Sequence, residues 1–343
     1  MDLINQNIKW YESTFEAFEQ GLNGEKSTSV HAIRRDAIRR FKDLGFPTKY
    51  QEEWRFTNID PITKIAFQPV LRYDVNGVTK KDIQPSIVDD AHLLVFVDGM
   101  FSSELSDVHS LPPEVTAGSL HGLLKNHPEP ADLPMMNLKS GVENAFTALN
   151  TAFLWDGALI FVPKGVVLDS PIQLLFVASD RRDASAAQPR NIIAAGMGSR
   201  FKIIETYVGL ANNTYLTNAV TDITLEENSE VEHEKFQIEG MNAFHIGTTT
   251  VELGRASRYT SNAVAMGGSI VRNNLTARFT AEGAECVLNG LSLGSRTQLV
   301  DNHTLIDHAK PHCTSHELYK AILDGASKGV FNGKVLVRID AQK

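Results

Sequence analysis

From Ala158 to the last residue the chain reads as short β-strands that recur with a period. Each new strand follows a polar corner. Ser199 opens SRFKIIET, Ser229 opens SEVEHEKF, Ser257 opens SRYTSNAV, Ala284 opens AECVLNGL and His312 opens HCTSHELY. These corners lie 30, 28, 27 and 28 residues apart, with Gly198, Asn228, Ala256 and Gly283 just before four of them. A strand-rich unit repeating every ~20–50 residues marks a stacked architecture, because one unit cannot bury its own apolar face and neighbours must do so for each other. The pattern predicts a mainly β chain built as a parallel β-helix. An antiparallel sandwich or barrel is the alternative, since it also gives many short strands. It should mark each unit with a tight Asn-Gly or Asp-Gly turn, whereas Asn289-Gly290 and Asn332-Gly333 are isolated cases. A doubly wound sheet would need helical stretches between the strands, and the repeats carry none.

The N-terminal part reads differently. Trp10, Phe15, Phe18 and Leu22 can share a face of one short helix. A second helix is predicted after Ser27-Thr28-Ser29, with Val30, Ile33, Ala37, Phe41 and Leu44 on one face and Gly45 and Pro47 ending it. Arg34, Arg35, Arg39 and Arg40 lie on its other face, which is expected to be solvated. Leu93 to Val97 form a strand closed by Asp98-Gly99, and 102–138 reads as loop with short helical pieces. Val142, Phe146, Leu149 and Phe153 mark one more helix, stopped by Asp156-Gly157. The division expected is an N-terminal helical or α+β domain over residues 1–155 and a β-helix core over 156–343.

Charge and composition narrow the function. Lys and Arg total 33 against 41 Asp and Glu, a net charge of −8. An acidic chain with no basic cluster is a poor ligand for nucleic-acid phosphates or an anionic membrane. No apolar run approaches the ~18 residues needed to span a bilayer, and MDLINQNIKWYESTFEAFEQ has no secretory pattern. The two cysteines, Cys286 and Cys313, are too few for a disulfide framework. A soluble, cytoplasmic protein is expected.

Common catalytic signatures are missing. Gly24-Glu25-Lys26-Ser27 lacks the leading glycine of a phosphate loop, and Gly196-x-Gly198 runs into a strand instead of a helix. The densest cluster of ligand-type residues is His303, His308, His312, Cys313 and His316, beside Asp301 and Asp307. Imidazole and thiolate suit iron or zinc, which makes His312, Cys313 and His316 the candidate metal-binding residues. On an extended strand, however, His312 and His316 project from one face and Cys313 from the other, so a neighbouring coil or subunit would have to complete a site. Ordinary hydrogen-bonded corner histidines are the competing reading. Cys286 fits a small buried hydrophobe. The carboxylates Glu205, Asp222, Glu226, Glu227, Glu230, Glu232 and Glu234 leave an alternative, a β-helix carbohydrate-active enzyme acting on an acidic polysaccharide. The acids cluster mainly at one corner, Glu226 to Glu234, where they alternate like a solvated strand face.

Two stretches carry a resemblance. QEEWRFTNIDP at 51–61 and DNHTLIDHAKPHCTSHELYKAILDGASKGVFNGKVLVRIDAQK at 301–343 resemble the SufB/SufD family, and Glu53-Trp54-Arg55-Phe56 is closer to its SufD branch. The resemblance covers essentially the whole chain. It implies a right-handed parallel β-helix flanked by helical domains. It also implies a scaffold subunit, not a free-standing enzyme, that pairs with a SufB-like subunit and two copies of a SufC-like ATPase to assemble iron–sulfur clusters. A cluster would then be held transiently by the complex, with no cofactor resident in this chain, and the isolated chain could form a homodimer. The family pattern continues past Ala341-Gln342-Lys343 into a C-terminal helical domain with a Cys-x-His segment and the ATPase-docking surface. The chain is therefore expected to be C-terminally truncated. His312, Cys313 and His316 are not equated with that Cys-x-His segment, and no assembly residue is transferred.

Overall fold

The structure, a computed structural model, describes residues 3–22, 25–75, 77–126, 144–181 and 183–342. The chain turns where the polar corners stand. Gly198, Asn228, Ala256 and Gly283 take φ of 67, 57, 50 and 75°, each two residues before a strand. This left-handed backbone is free to glycine, tolerated by asparagine and costly to alanine. The fifth corner falls one residue later than the sequence suggested. His312 itself has φ 60°, and Glu285 pairs with Thr314, so His312 corresponds to Gly283 and Cys313 to Ala284.

Two parallel sheets result. Strands Arg200–Gly209, Glu230–Glu239, Arg258–Gly267, Glu285–Gly294 and Thr314–Leu323 stack in one, of eight strands. Tyr215–Leu225, Phe244–Leu253, Ile270–Phe279, Leu299–His308 and Lys328–Val337 stack in the other, of ten. Each strand pairs with the one a full turn later, which makes a β-solenoid of about six turns and removes the sandwich and barrel. In-register pairing stacks equivalent side chains into columns. Phe201, Val231, Tyr259 and Cys286 form one, and Leu225, Leu253 and Phe279 face the same interior from the opposite sheet. Cys286 is fully buried there as a hydrophobe, and burial pushes its thiol up to about 12.

Antiparallel strands close the N-terminal edges. Met100–Asp107 pairs with His92–Val97, and Thr116–Ser119 with Ala158–Val162. Both fall in the stretch read as loop, which also holds the helix Leu120–Asn126; residues 127–138 of that stretch lie outside the described residues. Their periodicity is too short to register as strands, and the solenoid edge selects the conformation.

The helices Leu3–Gly21, Ser29–Leu44 and Ala145–Ala152 pack on the outer face of the ten-stranded sheet, against Leu216, Phe244, Ile246 and Ile270. Thr28 caps the second helix by accepting from the His31 backbone N–H at 3.2 Å, and Gly45 at φ 62° ends it. Phe146, Leu149 and Phe153 are buried as expected; Val142 lies outside the described residues. Arg34 departs from the expected solvated face. It is 2 % exposed, its guanidinium lies over Phe18 and Trp155, and it donates to the Leu154 carbonyl at 2.8 Å. A flat guanidinium can fill an aromatic slot that a helical wheel does not reveal. On the eight-stranded sheet, Val78 and Ile83 cover the outer face of the early strands, packing with Val177 and Val208.

Ala256 tests the corner argument. Replacing it with glycine relieves a left-handed alanine at a smaller entropic cost, so Ala256→Gly should raise unfolding stability by roughly 0.5–1 kcal/mol. A urea titration showing no gain or a loss would mean the corner conformation is not limiting.

Candidate functional site

His312, Cys313 and His316 do not converge. Cys313 turns inward toward the solenoid core, its Sγ within donating reach of the Ala281 and Pro311 carbonyls at 3.3 and 3.5 Å, while His312 and His316 are exposed. Among the described residues, no group of three His, Cys, Asp or Glu side chains is placed to hold a metal ion. His308 meets Ser315 at 3.0 Å, and His303 lies 3.0 Å from Asp301.

Polar chemistry is concentrated instead inside the middle turns. Alternation along the strands aims Glu205, Tyr207, His233, Lys235, Gln237 and Glu239 inward from one sheet and Thr217, Thr221 and His245 inward from the other. His233 Nε2 lies 2.9 Å from Glu205, and its Nδ1 lies 2.9 Å from the Tyr259 hydroxyl. An ionised carboxylate only accepts, so Nε2 is the donor to Glu205. Tyr207 also donates to Glu205. Across the lumen His245 Nδ1 meets Glu239 at 2.8 Å, and Thr217 and Gln237 donate to the same carboxylate at 2.9 and 3.0 Å. Lys235 lies over the Tyr207 ring and donates to Asn273 at 3.1 Å. Gly247 leaves the room these groups occupy, since a side chain there would begin 2.6 Å from Lys235 Nζ and 3.1 Å from His245 Nε2.

Burial sets the charge states. It would raise the Glu205 carboxyl, but His233, Lys235 and Tyr207 outweigh it and hold Glu205 at about 2. Burial lowers Lys235 against the pull of Glu205 and Glu239, and lowers His245 against Glu239. A sealed network of this kind fixes register between turns, because each charge is satisfied only with its neighbours in place. Sequence reading counted Glu205 only among the scattered carboxylates and passed over His233 and His245. Strict alternation from Glu205 to Tyr207 and from His233 to Glu239 was the available signal. The other carboxylates form no binding groove. Asp222 pairs with Arg190 at 2.5 Å, Glu230 with Arg200 at 3.1 Å and Glu232 with Lys202 at 2.8 Å.

A second constellation joins the N-terminal region to the solenoid. Arg272, 1 % exposed, stacks 3.8 Å from the Trp54 ring centroid and donates to the Glu53 carbonyl at 2.7 Å and to Asp301 at 2.6 Å. Thr57 donates to the same carboxylate, and Trp54 also stacks on Phe146 at 5.5 Å. The QEEWRFT segment is therefore a latch, with Trp54 inside while Tyr50 and Phe56 stay exposed. A cleft of about 640 Å³ also opens between the first helix and Gln68–Asp74, over Phe18 and Trp155. Arg72 and Asp74 give it charges of both signs, and Arg181 is already engaged by Asp98 at 2.7 Å.

The chain matches two family models end to end: the SufBD protein N-terminal region over residues 5–174, and the SUF system FeS cluster assembly SufBD core domain over residues 176–343. It is 30% identical over 331 residues to an iron–sulfur cluster assembly SufBD family protein of Synechocystis, covering 94% of this chain and 72% of that one. It is 25% identical to the chloroplastic protein ABCI7 of Arabidopsis thaliana, over 96% of this chain and 70% of that protein. Identity to the iron–sulfur cluster assembly protein SufD of Escherichia coli is 23%, over 87% and 68% of the two chains.

Two measurements test the geometry. A depressed carboxyl contributes stability that is complete above its unfolded value of 4.5 and is lost as pH falls through about 2. Urea midpoints should therefore fall across that window. Glu205→Gln should cost roughly 3 kcal/mol at neutral pH and flatten this part of the acid limb; parallel acid losses in both proteins would remove Glu205 as the cause. Arg272→Ala strands Asp301 and opens the Trp54 slot, so limited proteolysis should cut near residues 50–60, with about 3–5 kcal/mol of stability lost. Arg272→Lys should rescue little, since an ammonium neither stacks flat nor reaches both acceptors.

Proposed function

The chain belongs to the SufB/SufD family, as a SufD-like member, and on that premise we propose that it is a scaffold subunit of an iron–sulfur cluster assembly complex. In this reading it works in the cytoplasm, pairs with a SufB-like subunit and acts with a SufC-like ATPase that supplies the nucleotide chemistry. The observation that carries the proposal is family similarity over residues 5–174 and 176–343. The build supports it. An ionisable cluster is sealed in the lumen, where it holds turns in register and leaves the outer faces to partners. Cluster chemistry then belongs to the complex, with the cluster as its cargo, and His312 and His316 are the exposed donors this chain could bring to it.

Co-expression with SufB-like and SufC-like proteins, followed by capture through a tag on this chain, tests the proposal. The SufB-like subunit should be retained through a high-salt wash, with or without the ATPase. Capture of neither by a chain shown to be folded would overturn it.

A further inference from the structure

The chain over residues 67–74 leaves part of its backbone unpaired. Gln68 and Val70 donate to the Ala184 and Ala186 carbonyls at 2.9 and 3.0 Å, so Gln68–Pro69 is an outermost strand, paired only with Ser185–Ala187. Backbone groups of alternate residues point to opposite edges of an extended chain. Those of Phe67, Pro69 and Leu71 therefore turn away from the sheet. Trp10 of the first helix donates from Nε1 to the Phe67 carbonyl at 3.1 Å, so this edge faces that helix. Beyond Phe67 the pairing stops. Among the described residues, the Pro69 carbonyl and both backbone groups of Leu71 have no hydrogen-bond partner. Helix and chain part here, and the cleft of about 640 Å³ lies between them.

An open strand edge opposite a helix is a geometry in which an extended peptide adds as a further strand. Its main chain bonds the edge and its alternate side chains fill pockets. The walls say what such a peptide carries. Phe18, Leu22 and Trp155 form an apolar floor, with Leu71 and the Tyr73 ring beside it. Tyr73 is fixed there by donating to Glu104 at 2.6 Å. Charge around the groove is mostly negative. Asp74 lines both the cleft and a cavity of about 340 Å³ continuous with it, where Asp180 and Asp183 stand. Gly21 and Leu22, at the carbonyl end of the first helix, also line the cleft and bring the partial negative charge of a helix C-terminus. Of the two arginines on the lining, Arg181 is neutralised by Asp98 at 2.7 Å, which leaves Arg72.

We propose that this groove is a docking site for an extended, basic peptide segment of a partner protein. The segment adds as a strand along residues 69–71 and sets a bulky apolar side chain on Phe18 and Trp155. A Lys or Arg beside it meets Asp74, Asp180 and Asp183. The net charge of −8 adds long-range attraction for such a segment. Pro69 suits an edge strand, and its missing N–H keeps the pairing short, which guards the edge against longer strands. The volume of the cleft falls within the ~300–1,000 Å³ of ligand sites. The inference does not rest on the assembly role proposed above.

A random heptapeptide library displayed on phage is the probe, selected on the whole chain and counter-selected on Ala17→Trp. Ala17 is an exposed position of the first helix on the cleft wall, so the indole fills the groove without entering the core. Circular dichroism checks that the variant is folded. Sequences enriched on the wild type alone should join a bulky apolar residue to Lys or Arg. The best of them, made as a free peptide, should lose affinity at least about tenfold when its basic residues become Glu. The double variant Asp180→Lys, Asp183→Lys should weaken the original peptide by a similar factor. Hydrogen exchange reads the geometry. The Leu71 amide should exchange freely in the chain alone and slow at least about tenfold with peptide bound. No enrichment over Ala17→Trp, or binding indifferent to the charge of the peptide, would overturn the proposal. So would a Leu71 amide already protected in the free chain, or one left unprotected by bound peptide.

Discussion

Everything in this molecule depends on in-register stacking of one turn on the next. A solenoid turn has no core of its own; it borrows half from each neighbour. Parallel pairing with no register shift over ten-residue strands means a side chain at one level has its counterpart directly above. A slip of one residue would turn Phe201, Val231, Tyr259 and Cys286 out to solvent and bring Glu230, Arg258 and Glu285 in. The left-handed corners at Gly198, Asn228, Ala256, Gly283 and His312 fix where each turn begins, and so fix which residues share a column.

The same constraint explains why charge is tolerated in the lumen. Burying Glu205, Lys235 and Glu239 is costly unless each finds a partner. Stacking supplies partners from neighbouring turns and from the facing sheet, as with Glu205 and His233 or Glu239 and His245. An apolar lumen rules out a slip of one residue but discriminates less against a slip of two, which the paired charges also disfavour. The polar interior is in this sense the part of the fold that specifies alignment, while the aliphatic columns supply most of the driving force.

The N-terminal region is fastened to this column by few, strong contacts. Arg272 is held by a ring above it, a carbonyl and a carboxylate, and the carboxylate is shared with Thr57. One outer face of the solenoid is thus used internally, under the helices.

The repeat spacing of the corners, the strand alternation and the helix at Ser29–Leu44 with its Thr28 and Gly45 ends were legible in the sequence, because each follows from local geometry. Backbone at positive φ selects Gly or Asn, and burial on one side imposes alternation. The exact corner at Cys313 was not legible, since His312 in a left-handed conformation looks like any polar residue. Nor was the fate of individual polar groups. Arg34 read as a surface arginine, Glu205 as one of several scattered carboxylates, and His312, Cys313 and His316 as a cluster. Whether such a side chain meets water or a partner depends on what lies one turn or one sheet away, some 30 to 220 residues distant in the chain. The sequence by itself determined the architecture, because local periodicity dictates it; the pairing of charges and the latch were decided only by tertiary structure, because contact between distant parts of the chain creates them.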